Sequence, residues 1–118
     1  MNDLVQQMGM RLFTRRKQLR LTQEELAEAA NVTSQTISTA ELGKKALRPE
    51  NIVKICSALE ISTDYLLYGS VAAEDHSILM EKISKLPPSQ YRHLEDIVNS
   101  YLAAVLETGE VNHPQQQG

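Results

Sequence analysis

Apolar positions recur along this chain every three or four residues, the spacing of amphipathic helices, and no stretch shows the two-residue alternation of a strand. The pattern predicts an all-α protein. A first helix is expected from about Leu4 to Leu19, with Val5, Met8, Leu12 and Leu19 on its buried side and Met10 and Phe13 blurring the stripe. Arg48-Pro49-Glu50 starts another, because Pro suits the first helical position and an acid in the first turn favours the helix dipole. Its apolar face is Ile52, Ile55, Cys56 and Leu59. Ser62 caps a short helix that Gly69-Ser70 ends, and the polar stretch to Asp75 is the best domain boundary. Beyond it, Ile78, Leu79, Ile83 and Leu86 mark a helix over about 74–85, which Pro87-Pro88 breaks. A last helix from Pro88 to about Glu107 carries Tyr91, Leu94, Val98, Tyr101 and Val105 at spacings of three, four, three and four, widened by Ile97 and Leu102.

Between the first helix and Arg48 lie two shorter helices that meet at a tight turn. Thr22 and Glu25 have the spacing of a capping box, which satisfies orphan amide donors and starts a helix at Gln23. Leu26, Ala29 and Ala30, with small Ala27 among them, make its apolar face, and the helix should stop near Ala30. Asn31 then reverses the chain, since Asn is the non-glycine residue that best tolerates a left-handed backbone. Val32 plugs the turn, and Thr33 caps a second helix with Ile37, Ala40 and Leu42 facing inward. The outer face, Ser34, Gln35, Thr36, Ser38 and Thr39, is uncharged and rich in groups that both donate and accept hydrogen bonds. Such a rim suits base-pair edges. An amide such as Gln35 can pair with adenine through two hydrogen bonds, and Thr36 or Thr39 offers a methyl to thymine. An ordinary solvated helix face is the alternative for this segment alone, and the surroundings weigh against it.

The run RRKQLRLTQEELAEAANVTSQTISTAELGKKALRP, followed by LEISTDYLLYGS, resembles the DNA-binding domain of the Xre/Cro family, which includes the lambdoid phage repressors. The resemblance covers roughly Met8 to Ser70 and rests on separated positions. These are Gln23 opening the first motif helix, small Ala27, branched Ile37, Glu41 with Gly43, Pro49, and Asp64-Tyr65-Leu66-Leu67. Asn31 departs from the family's turn Gly, and Leu42 stands where a polar residue is common. The resemblance implies a five-helix lambda-repressor-like domain whose third helix lies in the major groove while the second crosses the phosphate backbone. It implies that Ser34, Gln35 and Thr39 meet base edges, and that Gln23 bonds a phosphate or braces the reading side chain. The amides near Gly43 to Lys45 would touch the sugar-phosphate chain. It also implies a structural salt bridge from Arg16 on the first helix to Glu41 at the end of the third.

Composition adjusts this picture. With 118 residues the chain is one domain or a small domain with an appendage, divided at 1–70, 71–107 and a disordered tail of 108–118. One cysteine, Cys56, excludes a disulfide framework and suits a reducing cytoplasm, and its apolar helical setting reads as a buried, inert thiol. No apolar run reaches a membrane span and the N-terminus lacks a secretory layout, so a cytoplasmic, bacterial or phage-encoded protein is expected. The net charge of −3 argues at first against nucleic acid. Its distribution does not, because residues 1–70 hold nine Lys or Arg against eight acids while the remainder holds three against seven. Phosphate attraction is local, decaying over about 8–10 Å, so clustering decides. Arg15 and Lys17 belong to one cluster and Lys44, Lys45 and Arg48 to another, and both are expected to flank the groove as backbone contacts.

An enzyme has no support. His76, His93 and His113 lack metal-ligand spacing, no Gly-rich phosphate loop follows a strand, and no cofactor or metal is expected. Two helices after residue 70 bury too little to stand alone, so self-association through Tyr91, Leu94, Val98, Tyr101, Leu102 and Val105 is expected, with folding back onto the first domain as the alternative. The function expected is a sequence-specific regulator, a repressor acting as a homodimer on a near-palindromic double-stranded operator. The competing reading is an antitoxin-like or anti-repressor-type module whose C-terminal helices grip a regulatory protein partner, with DNA binding secondary.

Overall fold

Caps decide where the helices of this protein begin and end. In the computed structural model, which describes residues 3–108, the elements are α1 (Asp3–Gln18), α2 (Gln23–Ala30), α3 (Ser34–Glu41), α4 (Pro49–Leu59), α5 (Thr63–Tyr68), α6 (Ala73–Ser84) and α7 (Pro88–Thr108). There is no strand among the described residues. Thr22 and Glu25 form the reciprocal capping box at α2, with the Glu25 amide donating to Thr22 Oγ1 at 3.0 Å and the Thr22 amide to Glu25 Oε1 at 2.8 Å. Thr33 Oγ1 accepts from the Thr36 amide at α3, and Ser62 Oγ from the Tyr65 amide at α5. Asn31 closes α2 in the left-handed region at φ 58°. Arg20 and Glu60 do the same after α1 and α4, without the side-chain tolerance that marks Asn31 in advance.

Contacts divide the chain into two units, Met1–Leu79 and Met80–Gly118. In the first, α1 packs on α3 and α5, α2 on α3 and α4, and α4 on α5. Leu12, Leu26, Ile37, Ile55, Leu59 and Leu66 are wholly sequestered at its centre. Each such side chain contributes roughly 1.5–3 kcal/mol by leaving water. The crossing of α1 and α3 is close enough that a Cβ on Gly9 would overlap the Ala40 carbonyl oxygen, so glycine is required there by contact rather than by backbone conformation. Val5, Leu19 and Ile52, expected inside, are half-buried at the margin.

Two inward assignments are corrected. Ala29 is exposed, while Leu26, Ala27 and Ala30 are in the core as expected. On a two-turn helix rich in alanine, a small rotation exchanges one methyl for another at little cost. Leu42 is the C-cap of α3 and is 64% exposed, because the chain turns away before a further helical position can point inward.

The division between units falls within α6, nine residues past the boundary at 70 read from the sequence. A carboxylate clamp binds the first turn of α6 to the first unit. Asp75 Oδ1 accepts from the Ser62 amide at 2.9 Å, and Oδ2 from Ser62 Oγ at 2.6 Å and the Ala72 amide at 2.8 Å. Burial alone would raise the Asp75 pKa, but the bonds from Ser62 and Ala72, with His76 nearby, outweigh it and hold the carboxyl below its ordinary value.

The second unit consists of the remainder of α6 and the segment through α7. No described residue of α6 or α7 is buried. Along α7, Tyr101 is 69% and Ile97 54% exposed, while Leu94 and Val105 are half-buried. An ion pair between Arg92 and Glu95 at 2.8 Å lies on the exposed surface, where such pairs add little. The tail expected to be disordered lies, from residue 109 onward, outside the described residues.

Candidate nucleic-acid interface

The polar rim of α3 is accessible: Ser34 and Gln35 are exposed, and Thr36, Ser38 and Thr39 half-buried. Beneath it Ile37 and Ala40 anchor the helix in the core, so the rim is the face that burial leaves over. Gln35 Nε2 donates to Thr39 Oγ1 at 3.1 Å, one turn further on. The Thr36 hydroxyl is 2.9 Å from that of Thr33, tied into the N-cap. Gln35, Thr36 and Thr39 line an open groove of about 180 Å³ together with Lys45, Arg48 and Asn51. The fold therefore brings together rim and loop residues that the sequence separates. Asn51 was not among the expected site residues. Its place in the first turn of α4, three residues after the Arg48 cap, is the signal that would have found it.

The pose of α3 is held from behind by ions. Arg16 Nε donates to Glu41 Oε2 at 2.6 Å and Arg16 Nη2 to Glu41 Oε1 at 3.0 Å, with the two side chains only 8% and 5% exposed. Arg16 Nη1 also donates to the Leu21 carbonyl at 2.7 Å. The bond to Glu41 raises the Arg16 pKa above its usual value against the opposing effect of burial. Gln23 is half-buried, and its Nε2 donates to Glu41 Oε1 at 3.0 Å. One N–H is thus committed to the ion pair and braces the end of α3, while the second N–H and the carbonyl oxygen of the amide are not used by that bond.

Other bases expected at the phosphates are employed inside the protein. Arg15 Nε donates to the Leu59 carbonyl at the end of α4. Arg11, which belongs to the same basic run, donates from Nε and Nη2 to the Leu66 and Leu67 carbonyls of α5. Both guanidiniums satisfy carbonyls that a helix C-terminus leaves without partners. Gly43 is buried at φ 71° against Gln6, and its amide donates to the Ala40 carbonyl at 3.0 Å, while the Lys44 amide donates to the Thr39 carbonyl at 3.2 Å. The amide hydrogens of Gly43 and Lys44, expected at the sugar-phosphate chain, are therefore both engaged with carbonyls of α3. Lys17, Lys44, Lys45 and Arg48 are exposed. Cys56 lies in the core, where burial first and the charges of Asp75 and Glu74 second push its thiol up to about 11, so it stays protonated and inert at neutral pH.

This arrangement has relatives. A family model described as helix-turn-helix, HTH_3, matches residues 12–66. Over 103 residues, 87% of each chain, the sequence is 30% identical to the cryptic phage CTXphi transcriptional repressor RstR of Vibrio cholerae. The chain belongs to the helix-turn-helix family of Xre/Cro/CI type. This helix-turn-helix protein is also 36% identical over 67 residues to Repressor protein C2 of Salmonella phage P22, a match covering 57% of this chain and 31% of that one. A crystal structure of the P22 c2 repressor with a synthetic operator superposes with a TM-score of 0.53 at 37% identity, covering 55% of this chain and 98% of that one. The five helices of the first unit thus form a lambda-repressor-like domain, and the protein is a DNA-binding transcriptional regulator. Among the described residues no helix is long and apolar enough to cross a membrane.

Proposed function

We propose that this regulator is a sequence-specific repressor that binds a near-palindromic operator as a homodimer, each copy laying α3 in the major groove. The observation that carries the reading is the groove that Gln35 and Thr39 line together with Lys45 and Arg48. Hydrogen-bonding groups that distinguish bases stand there beside cations that neutralise phosphate. Lys44 and Lys17 extend the phosphate-facing set, while Arg15 and Gly43 are left out of it. Ser34 and Ser38 complete the rim. The names of RstR and the P22 protein as repressors, and the operator in the P22 structure, support the same reading.

The homodimer is supported by α7, whose stripe of Tyr91, Leu94, Val98, Tyr101, Leu102 and Val105 contains no buried residue. An isolated helix is marginal in water, and a second copy of the same stripe supplies the missing apolar contact. Two copies also match the two half-sites of a symmetric operator. Selection of bound sequences from a random duplex pool tests the reading and is expected to return a two-fold site. Gln35→Ala and Thr39→Ala should then each weaken binding to it, by about 1–3 kcal/mol for a good base contact. Unchanged affinity would remove direct base readout. A monomer in sedimentation at micromolar concentration would instead assign the α7 stripe to a different protein partner.

A further inference from the structure

The start of α6 is held by polar bonds, because it brings no buried side chain of its own. Ala72, Asp75 and Ile78 are half-buried there, while Val71, Ala73 and Leu79 are exposed. The connection from α5, residues 69–72, begins with Gly69 in the left-handed region at φ 77°, and a short glycine-containing connection leaves many directions open to the helix that follows. The Asp75 carboxylate removes that freedom. It accepts from the Ser62 amide at 2.9 Å, the Ser62 hydroxyl at 2.6 Å and the Ala72 amide at 2.8 Å, and bonds to an ionised acceptor are roughly twice as strong as neutral ones. Ser62 is itself fixed. It is 1% exposed, its hydroxyl caps α5 by accepting from the Tyr65 amide, and its carbonyl accepts from Cys56 Sγ at 3.7 Å on α4. Ala72 and Asp75 lie beyond the five helices of the lambda-repressor-like domain, and α6 continues past the division at Leu79 as far as Ser84. We propose that Asp75 is a positioning residue for operator choice: by fixing the direction in which α6 leaves the DNA-binding unit, it restricts the half-site separation that the homodimer accepts.

The inference rests on the homodimer proposed above, and its test separates the two. The two-fold site is first selected with the intact protein, and duplexes are then made with one or two base pairs added at its centre or removed from it, beside a duplex carrying a single half-site. Each added pair moves one half-site by about 3.4 Å and turns it by about 35°, which a loose connection can follow and a fixed one cannot. The intact protein is expected to lose about tenfold or more in affinity when the spacing changes by one pair. Asp75→Ala should bind the single half-site as the intact protein does, bind the original spacing about three- to tenfold more weakly, and show a spacing penalty of about threefold or less. Asp75→Asn, which keeps the shape and one acceptor oxygen, should fall between the two. A role confined to the stability of the first unit would instead lower affinity for the half-site and for every spacing by one common factor. That result, a spacing penalty unchanged in Asp75→Ala, or equal binding of the intact protein to all spacings overturns the inference and leaves the homodimer standing. Failure to select a two-fold site, or a monomer in sedimentation at micromolar concentration, overturns the homodimer and the inference with it.

Discussion

The two units of this molecule are built from the same kind of amphipathic helix and meet opposite fates. In the first, the apolar stripes of α1 to α5 converge until six large side chains have no exposure at all. In the second, the stripe of α7 repeats at spacings of three and four from Tyr91 to Val105, and nothing along it is buried. Regularity of pattern thus predicts a helix, while convergence of several patterns predicts a core. On the proposed homodimer, the α7 stripe is covered by a second copy, and the stability of that unit then depends on protein concentration.

Substitutions in the two regions should therefore differ in size and in what they change. Leu26→Ala opens a cavity in the converged core and is expected to cost about 3–5 kcal/mol, read as a fall in the denaturation midpoint of the first unit. Glu41→Ala comes next, at about 3 kcal/mol, because it strands the Arg16 guanidinium and the Gln23 amide in a nearly closed space. Asp75→Asn, at the clamp on α6, should cost about 1–2 kcal/mol through weakened acceptance from Ser62 and Ala72. This last effect depends on pH with a defined sign. The Asp75 carboxyl titrates lower when folded than when unfolded, so its contribution is complete above the ordinary carboxylate pKa and disappears as pH falls through the depressed folded value. The gap between wild type and Asp75→Asn should therefore close in acid and stay constant near neutrality. Val98→Ala on α7 is the smallest, under about 0.5 kcal/mol in the melting of the first unit. It should appear instead as weaker self-association in sedimentation, and a core-sized loss in the first unit's melting would erase the contrast.

Much of the fold was legible because helix boundaries are written in local chemistry. Thr22 with Glu25, Thr33, Ser62, Pro49 and Asn31 each act through neighbours a few residues away, so their spacing identifies the boundary. Features that depend on the meeting of distant segments were not legible. Gly9 is an unremarked glycine inside a helical pattern until α3 crosses it, although a glycine that fails to end a helix is itself a hint of close approach. Arg15 reads as a phosphate-facing base, and only the arrival of the α4 and α5 C-termini shows it and Arg11 bonded to carbonyls of the protein itself. Asp75 reads only as the end of the polar boundary stretch, and its bond to Ser62 spans a connection that no periodicity describes. For the candidate site, the outward rim of α3 followed from its burial pattern. The pairing of Arg16 with Glu41 was available only through family resemblance, and Asn51 was missed because it lies on another element.

The internal use of Arg11, Arg15 and Arg16 has a consequence for how the molecule behaves among bulk nucleic acid. Guanidiniums held against carbonyls and a carboxylate are not free to move onto a phosphate, so counterion release on a duplex falls to the exposed Lys17, Lys44, Lys45 and Arg48. With four such cations at most in each copy, the fall of duplex affinity with rising salt should be shallow, a log–log slope no steeper than about −3.6 per copy.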